Sequence, residues 1–234
     1  MTSLSARNEA LQELMDNPHC DQKRLRATLR RFGLINPVIA GWGGLYRGKL
    51  RPYLTSLRRP ARVLDLGCGG GDVTAHLAKL SRRDGLRVEW VGVDPEPTAF
   101  EVASTRTREN LRFIHADAAG LLAAGDRFDA VISNHVVHHL GDALPEFFEL
   151  SQRLSTGPVL HADIARSRRA YMLYTVGVTP FAPGTFLRTD GLRSIRRSFT
   201  ARELQELLDR RMPTPWRVTT PGAFRVLAEG RGHV

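Results

Sequence analysis

Cysteine, lysine and long apolar runs are all scarce in this chain. Two cysteines, Cys20 and Cys68, among 234 residues cannot build a disulfide framework. Cys68 also sits inside a glycine turn, so both are expected to be thiols in a reducing compartment. No apolar run approaches the ~18 residues of a membrane-spanning helix, and the first twenty residues are polar and amphipathic, unlike a secretory leader. A soluble, cytoplasmic protein is the expectation, and its length suits one α/β enzyme domain with extra helices. Lys23, Lys49 and Lys79 are the only lysines, so the net charge of +10 rests almost wholly on arginine. Arginines gather at Arg24 to Arg31, Arg58 to Arg62, Arg166 to Arg169 and Arg193 to Arg197. These clusters are scattered, carry little aromatic interleaving and form no RNA-binding module. Solvated faces, or attraction to anionic substrates or surfaces, explain them as well, and nucleic acid is not the expected partner.

What the chain does have is the run Val63-Leu64-Asp65-Leu66-Gly67-Cys68-Gly69-Gly70-Gly71-Asp72. Val63, Leu64 and Leu66 read as a strand buried on both faces, and the glycines supply backbone without Cβ where the chain turns against a ligand. Asp72 reads as the cap of a helix beginning at Val73. A dinucleotide fingerprint needs a third glycine at position 72, and a carboxylate there repels a pyrophosphate, which argues against nicotinamide and flavin dinucleotides. Two further strands end in acids: Arg87 to Val93 before Asp94, and Leu111 to Ala116 before Asp117. A fourth, Phe128 to Ser133, runs into Asn134. In open α/β sheets the C-terminal strand edge is where ligands bind.

The spacing Asp65-x-Gly67-x-Gly69-x-Gly71 resembles motif I of the class I S-adenosylmethionine (SAM) methyltransferases, whose cofactor carries a sulfonium and an amino-acid end instead of two phosphates. The resemblance implies SAM as donor and S-adenosylhomocysteine as product. Asp65, Gly67, Cys68 and Gly69 would cradle the cofactor, and Asp94, followed by Pro95, would take the ribose hydroxyls. Asp117 with Ala118 would read the adenine edge, and Asn134 would border the sulfonium and the acceptor pocket. Ser133-Asn134-His135-Val136 lacks the Asn/Asp-Pro-Pro-aromatic tetrapeptide that related enzymes use to hold a planar amine, so an exocyclic base nitrogen is not the expected acceptor.

His135, His138 and His139 are spaced i, i+3 and i+4, so on a helical turn they share one face and could gather a metal. No neighbouring cysteine or carboxylate completes the ligand set, and no metal is expected. His138 or His139 as general base for a phenol or enol is one reading. Satisfied polar groups lining the cofactor cavity or capping the next helix are the other.

Along the chain, residues 1 to 60 read as an N-terminal helical lid or cap, with helices over Ser5 to Met15, over Gln22 to Phe32 and from near Pro37. Trp42, Leu45, Tyr46 and Leu50 lie in the last of these, either as core packing or as a cover over the cofactor mouth. Residues 61 to 234 read as the SAM-binding methyltransferase domain, with Val159 to Asp163 as its fifth strand. Residues 164 to 199 read as a helical insert, either lining an acceptor pocket or packing on the N-terminal helices, with an Asp190-Gly191 turn. Thr200 and Glu203 form a capping box on a helix over Ala201 to Arg211. Pro221-Gly222 joins a hairpin of Trp216 to Thr220 and Ala223 to Ala228. The expected fold is α/β: a three-layer Rossmann-like sandwich whose seven-stranded, mostly parallel sheet ends in an antiparallel C-terminal hairpin. The insert also looks like that of bacterial methyltransferases acting on phenolic, quinol or polyketide-derived acceptors. That implies methyl transfer to an O or C atom of a small, largely apolar aromatic or polyketide-like acceptor, by a chain compatible with a homodimer. An RNA methyltransferase and a SAM-binding accessory protein without turnover stay open as rivals.

Overall fold

The computed structural model describes residues 4–17, 19–39, 41–222 and 224–233. Three helices come first: α1 (Gln22–Ile39), α2 (Trp42–Leu45) and α3 (Arg51–Ser56), with a π-helical stretch Tyr46–Leu50 joining the last two. The alternating units then follow as β1 (Ala61–Leu66), α4 (Asp72–Arg83), β2 (Val88–Asp94), α5 (Pro97–Ser104), β3 (Leu111–His115), α6 (Ala118–Ala123) and β4 (Ala130–Asn134). Next are α7 (Leu144–Leu154), β5 (Pro158–Ile164), the insert helices α8 (Arg168–Gly177) and α9 (Leu187–Arg197), then α10 (Ala201–Arg211), β6 (Arg217–Thr219) and β7 (Arg225–Arg231).

The seven strands lie in the order β3-β2-β1-β4-β5-β7-β6. β1 is parallel to β2, with Asp65 opposite Gly92, and to β4, while β6 and β7 pair antiparallel. Chain order reverses beside β1, and such a switch point opens a crevice at the strand C-termini. The strands next to it are apolar on both faces, as a sheet covered by helices on both sides requires: Val63, Leu64, Val91, Val131 and Ile132 are fully buried.

The chain groups into two compact units. One comprises Leu29–Asn134, Phe147–Leu160 and Gly230–Val234. In it Leu77 of α4 is fully buried, as are Trp42, Tyr46 and Leu50 of the N-terminal helices. The indole of Trp90 donates to Ser81 at 3.0 Å, so α4 and β2 share a satisfied buried pair. The other comprises Met1–Thr28, His135–Glu146 and His161–Glu229. Here Ile164, Ala170 and Ile195 form a core against which Tyr171, Tyr174 and Leu192 pack. The capping box of Thr200 and Glu203 starts α10. Among the described residues no helix is long and apolar enough to cross a membrane.

Four local expectations need correction. Ser5 to Met15 is not a helix but a series of turns, because its amides find partners far along the chain. Asn8 N donates to Arg196 O at 3.0 Å, and Leu14 N and Met15 N donate to the Asp190 carboxylate at 2.8 and 3.0 Å. The same contacts explain why Asp190-Gly191 is no turn: both residues lie inside α9, where Asp190 serves that segment and Gly191 leaves room for the Tyr174 ring. Asp72 is the first residue of α4 and not its cap; Gly71 holds the cap position at φ 73°, a conformation that glycine adopts without strain. No new helix starts near Pro37, since α1 runs on to Ile39. Ala223, expected to open the last strand, lies outside the described residues.

Candidate active site

In the first unit the glycine turn is fastened to the end of β2 from two directions. Gly67 N and Cys68 N donate to Val93 O at 2.9 and 3.0 Å, and Gly69 N donates to Asp94 Oδ2 at 2.8 Å. Asp94 Oδ1 also accepts from Glu96 N at 3.0 Å, which turns the chain through Pro95 into α5. Each oxygen of this carboxylate keeps a second lone pair for an incoming diol. Burial pushes the Asp94 carboxyl up, against the backbone donors that favour its charge.

Asp65 is buried at the end of β1. Thr74 donates to its Oδ2 at 2.6 Å, and Oδ1 has no hydrogen-bond partner among the described residues. Burial, opposed by Thr74 and reinforced by Asp72 and Asp94, pushes this carboxyl up to about 7. An orphaned carboxylate oxygen beside a glycine turn suits a cationic donor far better than a phosphate. Cys68 is buried, and its thiol is pushed up by burial and then by Asp65 and Asp94.

At the next strand ends, Asp117 caps α6 by accepting from Gly120 N at 2.7 Å, and Ala118 begins that helix. His115 stacks on Phe100 with ring centroids 5.7 Å apart, and its Nε2 lies 2.9 Å from Pro95 O. Asn134 closes β4, and its Oδ1 accepts from the indole Nε1 of Trp42 at 3.0 Å. The unit therefore gathers Asp65, Gly67, Cys68, Gly69, Asp94 and Pro95 around one turn, with Asp117 and Ala118 opening α6 after β3 and Asn134 ending β4.

His138 and His139 belong to the second unit, in a network of carboxylates. His138 Nδ1 lies 2.8 and 2.9 Å from the two oxygens of Asp163, and its Nε2 lies 3.1 Å from Glu13 Oε1. Both partners are buried with the ring. Burial alone would keep this imidazole neutral, but Asp163 and Glu13 outweigh it and raise its pKa to about 10; Asp163 falls to about 2 against the same burial. A ring that donates from both nitrogens has no lone pair to accept a proton. His139 is part exposed, its Nδ1 3.3 Å from Asp16 and its Nε2 3.6 Å from Glu13. The third histidine, His135, adopts φ 60° and stands 3.7 Å from Asp163. Sequence reasoning did not single out Glu13, and it named Trp42 as core or cover without pairing it to Asn134. Glu13 lies 125 residues from His138 and Trp42 lies 92 from Asn134, so no local pattern could have paired them.

Residues 63–157 match the family model described as a methyltransferase domain. That segment of the chain is a methyltransferase domain. Over 115 residues the chain is 33% identical to the ubiquinone biosynthesis O-methyltransferase of Azorhizobium caulinodans, a match covering 48% of this chain and 41% of that protein. It is 29% identical over 192 residues to the protein of the same name from Dinoroseobacter shibae, covering 77% of this chain and 72% of the relative. The chain thus spans less than half of the first relative and about three quarters of the second. Among solved structures, the plantazolicin methyltransferase BpumL in complex with SAH superposes with a TM-score of 0.57 at 14% identity, over 90% of this chain and 96% of that one. Magnesium protoporphyrin IX methyltransferase from Synechocystis PCC 6803, with bound SAH, gives 0.51 at 16% identity, over 81% and 83%. These two likenesses show a shared fold.

Proposed function

We propose that this methyltransferase transfers the methyl group of SAM to an oxygen, or an activated carbon, of a small and largely apolar aromatic acceptor. The observation that carries the donor half is Asp65, whose buried and unpartnered oxygen suits the ammonium of an amino-acid end. Asp94 and Pro95 take the ribose, Asp117 and the Ala118 amide take the adenine, Gly67, Cys68 and Gly69 line the turn, and Asn134 borders the methionine portion. Oxygen is favoured because the named relatives are O-methyltransferases of ubiquinone biosynthesis. An apolar acceptor accords with α8, which leaves Met172, Leu173 and Val176 largely in solvent.

SAM supplies an electrophilic methyl whose transfer quenches the sulfonium charge. The protein's task is therefore to align nucleophile and methyl and to exclude water. Asp65 and Asp94 fix the two ends of the donor, and Trp42 holds the Asn134 amide in one orientation. We assign His138 and His139 to the acceptor's proton. His138, engaged at both nitrogens, positions its neighbours, while Nε2 of His139 lies 3.6 Å from Glu13, beyond hydrogen-bond distance.

Calorimetric titration with SAM and SAH, followed by turnover assays on phenols and quinols, tests the proposal. Micromolar binding that Asp94→Ala abolishes, with methylation of a phenolic hydroxyl, is the expected result. Absence of binding by the wild type would sink the donor assignment, and retained affinity in Asp94→Ala would sink the ribose assignment. Methylation of bulk RNA with a steep loss in salt would replace the small acceptor by a polynucleotide.

A further inference from the structure

The histidine network contains an arrangement that a hydrogen-bonded core does not require. His138 turns Nδ1 to Asp163 at 2.8 Å, His139 Nδ1 lies 3.3 Å from both Asp16 and the Arg197 guanidinium, and each ring turns Nε2 to the same atom, Glu13 Oε1. Metal-ligating histidines are held in this way: the distal N–H donates to a carboxylate, which fixes the ring and its tautomer and leaves the other nitrogen for the cation. The spacing also fits. Zinc bonds of about 2.0–2.2 Å to nitrogen and oxygen in a tetrahedron separate ligand atoms by about 3.3–3.5 Å. Here Glu13 Oε1 lies 3.1 Å from one Nε2 and 3.6 Å from the other, and the three ligand atoms all fall within 4.8 Å of one another.

The network behind the ligands is complete. Ser194 donates to Glu13 Oε1 at 2.6 Å, and Arg197 bonds Asp16 at 3.1 Å. His138 and Glu13 are almost wholly buried, while His139 is part exposed, so one side of the set is open to solvent. Three carboxylates converge on two histidines, and a divalent cation would neutralise what two imidazoles and Arg197 do not.

We propose that Glu13, His138 and His139 form a binding site for one divalent transition-metal cation of the zinc type, with Asp163 and Asp16 orienting the two imidazoles. The cation takes the place of the proton that now lies between His138 Nε2 and Glu13 Oε1, and three protein ligands leave a fourth position for water or a hydroxyl. The site stands on this geometry alone. Its consequence keeps the acceptor-side placement proposed above but replaces the base role of His139, whose Nε2 would hold the cation: a hydroxyl at the fourth position would lose its proton to solvent more readily, as metal-bound water does.

Uptake by the metal-free full chain, measured without acceptor or turnover, tests the site. Calorimetry with Zn²⁺ and visible absorption with Co²⁺ should give one equivalent and the intense bands of a tetrahedral cobalt centre. Glu13→Gln and His139→Ala should each lose those bands, whereas Asp16→Asn should keep them with about 10–100-fold weaker affinity. Circular dichroism and SAM titration on each variant separate a lost metal site from a lost fold. Should a variant not fold, zinc displacement of cobalt from the wild type, with a metal-dependent rise in melting temperature, decides in its place. No uptake by the wild type, or uptake that the folded variants retain unchanged, overturns the proposal. Failure of SAM binding with metal uptake intact strikes the donor reading instead.

Discussion

The indole nitrogen of Trp42 donates to Oδ1 of Asn134 at 3.0 Å, so a residue of the N-terminal helices fixes the amide that ends β4. Trp42 is 2% exposed, which makes it a core side chain whose single polar atom is spent on the proposed site. Trp42→Phe keeps most of the buried area and removes the donor. It should cost about 1–2 kcal/mol by denaturant unfolding, mostly through the unsatisfied amide oxygen. Trp42→Ala adds a cavity and should cost about 3–5 kcal/mol. Turnover of the folded Phe variant should fall more than its SAM affinity; an unchanged rate would mean that Asn134 needs no orienting partner.

Gly92 lies opposite Asp65 in the β1–β2 register, under the glycine turn. A Cβ there would stand 2.6 Å from the Phe113 ring and 3.0 Å from Cys68 Sγ, so the side chains beneath the turn would have to shift. Gly92→Ala should destabilise by about 1–3 kcal/mol and weaken SAM binding. Phe113→Leu in the same chain should restore part of both, a coupling that a double-mutant cycle measures. Additive losses would show that Phe113 is not what excludes the methyl group.

Cys20 and Cys68 should differ in reactivity. Burial and the neighbouring carboxylates hold the Cys68 thiol protonated, whereas Cys20 is part exposed. A disulfide reagent should modify Cys20 at least about 100-fold faster, and Cys20→Ser should leave a slow phase that SAM slows further. Equal rates in the native protein would place Cys68 on an accessible turn.

The strands and the glycine turn were readable because they are written locally. The apolar run Val63 to Leu66, the glycines after it and the acids closing β2 and β3 each carry their own periodicity, and the strands formed within one or two residues of expectation. Thr200 and Glu203 announced α10 in the same way. The histidine network was not readable, because Glu13, Asp163 and Ser194 come from three distant segments. The Asp190-Gly191 pair misled for the same reason. Its turn chemistry is a local preference, and the amides of Leu14 and Met15 drew Asp190 into a helix instead.

Asp65 should make SAM affinity depend on pH. Its carboxyl is raised to about 7 in the folded protein, so in the free enzyme the protonated form is favoured. Relative to an ordinary carboxyl near 4, the stability this group contributes is complete below about pH 4, is lost as pH rises toward 7 and changes no further above that. Asp65→Asn, which cannot ionise, should therefore melt higher than the wild type at pH 8, and that advantage should vanish toward pH 4. Binding reverses the preference, because an ammonium supplies the partner that Oδ1 lacks and selects the ionised carboxylate. Wild-type affinity should climb by up to about tenfold per pH unit below 7 and level off above it. In Asp65→Asn the climb should disappear, together with most of the affinity. Calorimetry on both proteins across this range reads the two curves, and an identical slope in the variant would assign the titrating group elsewhere.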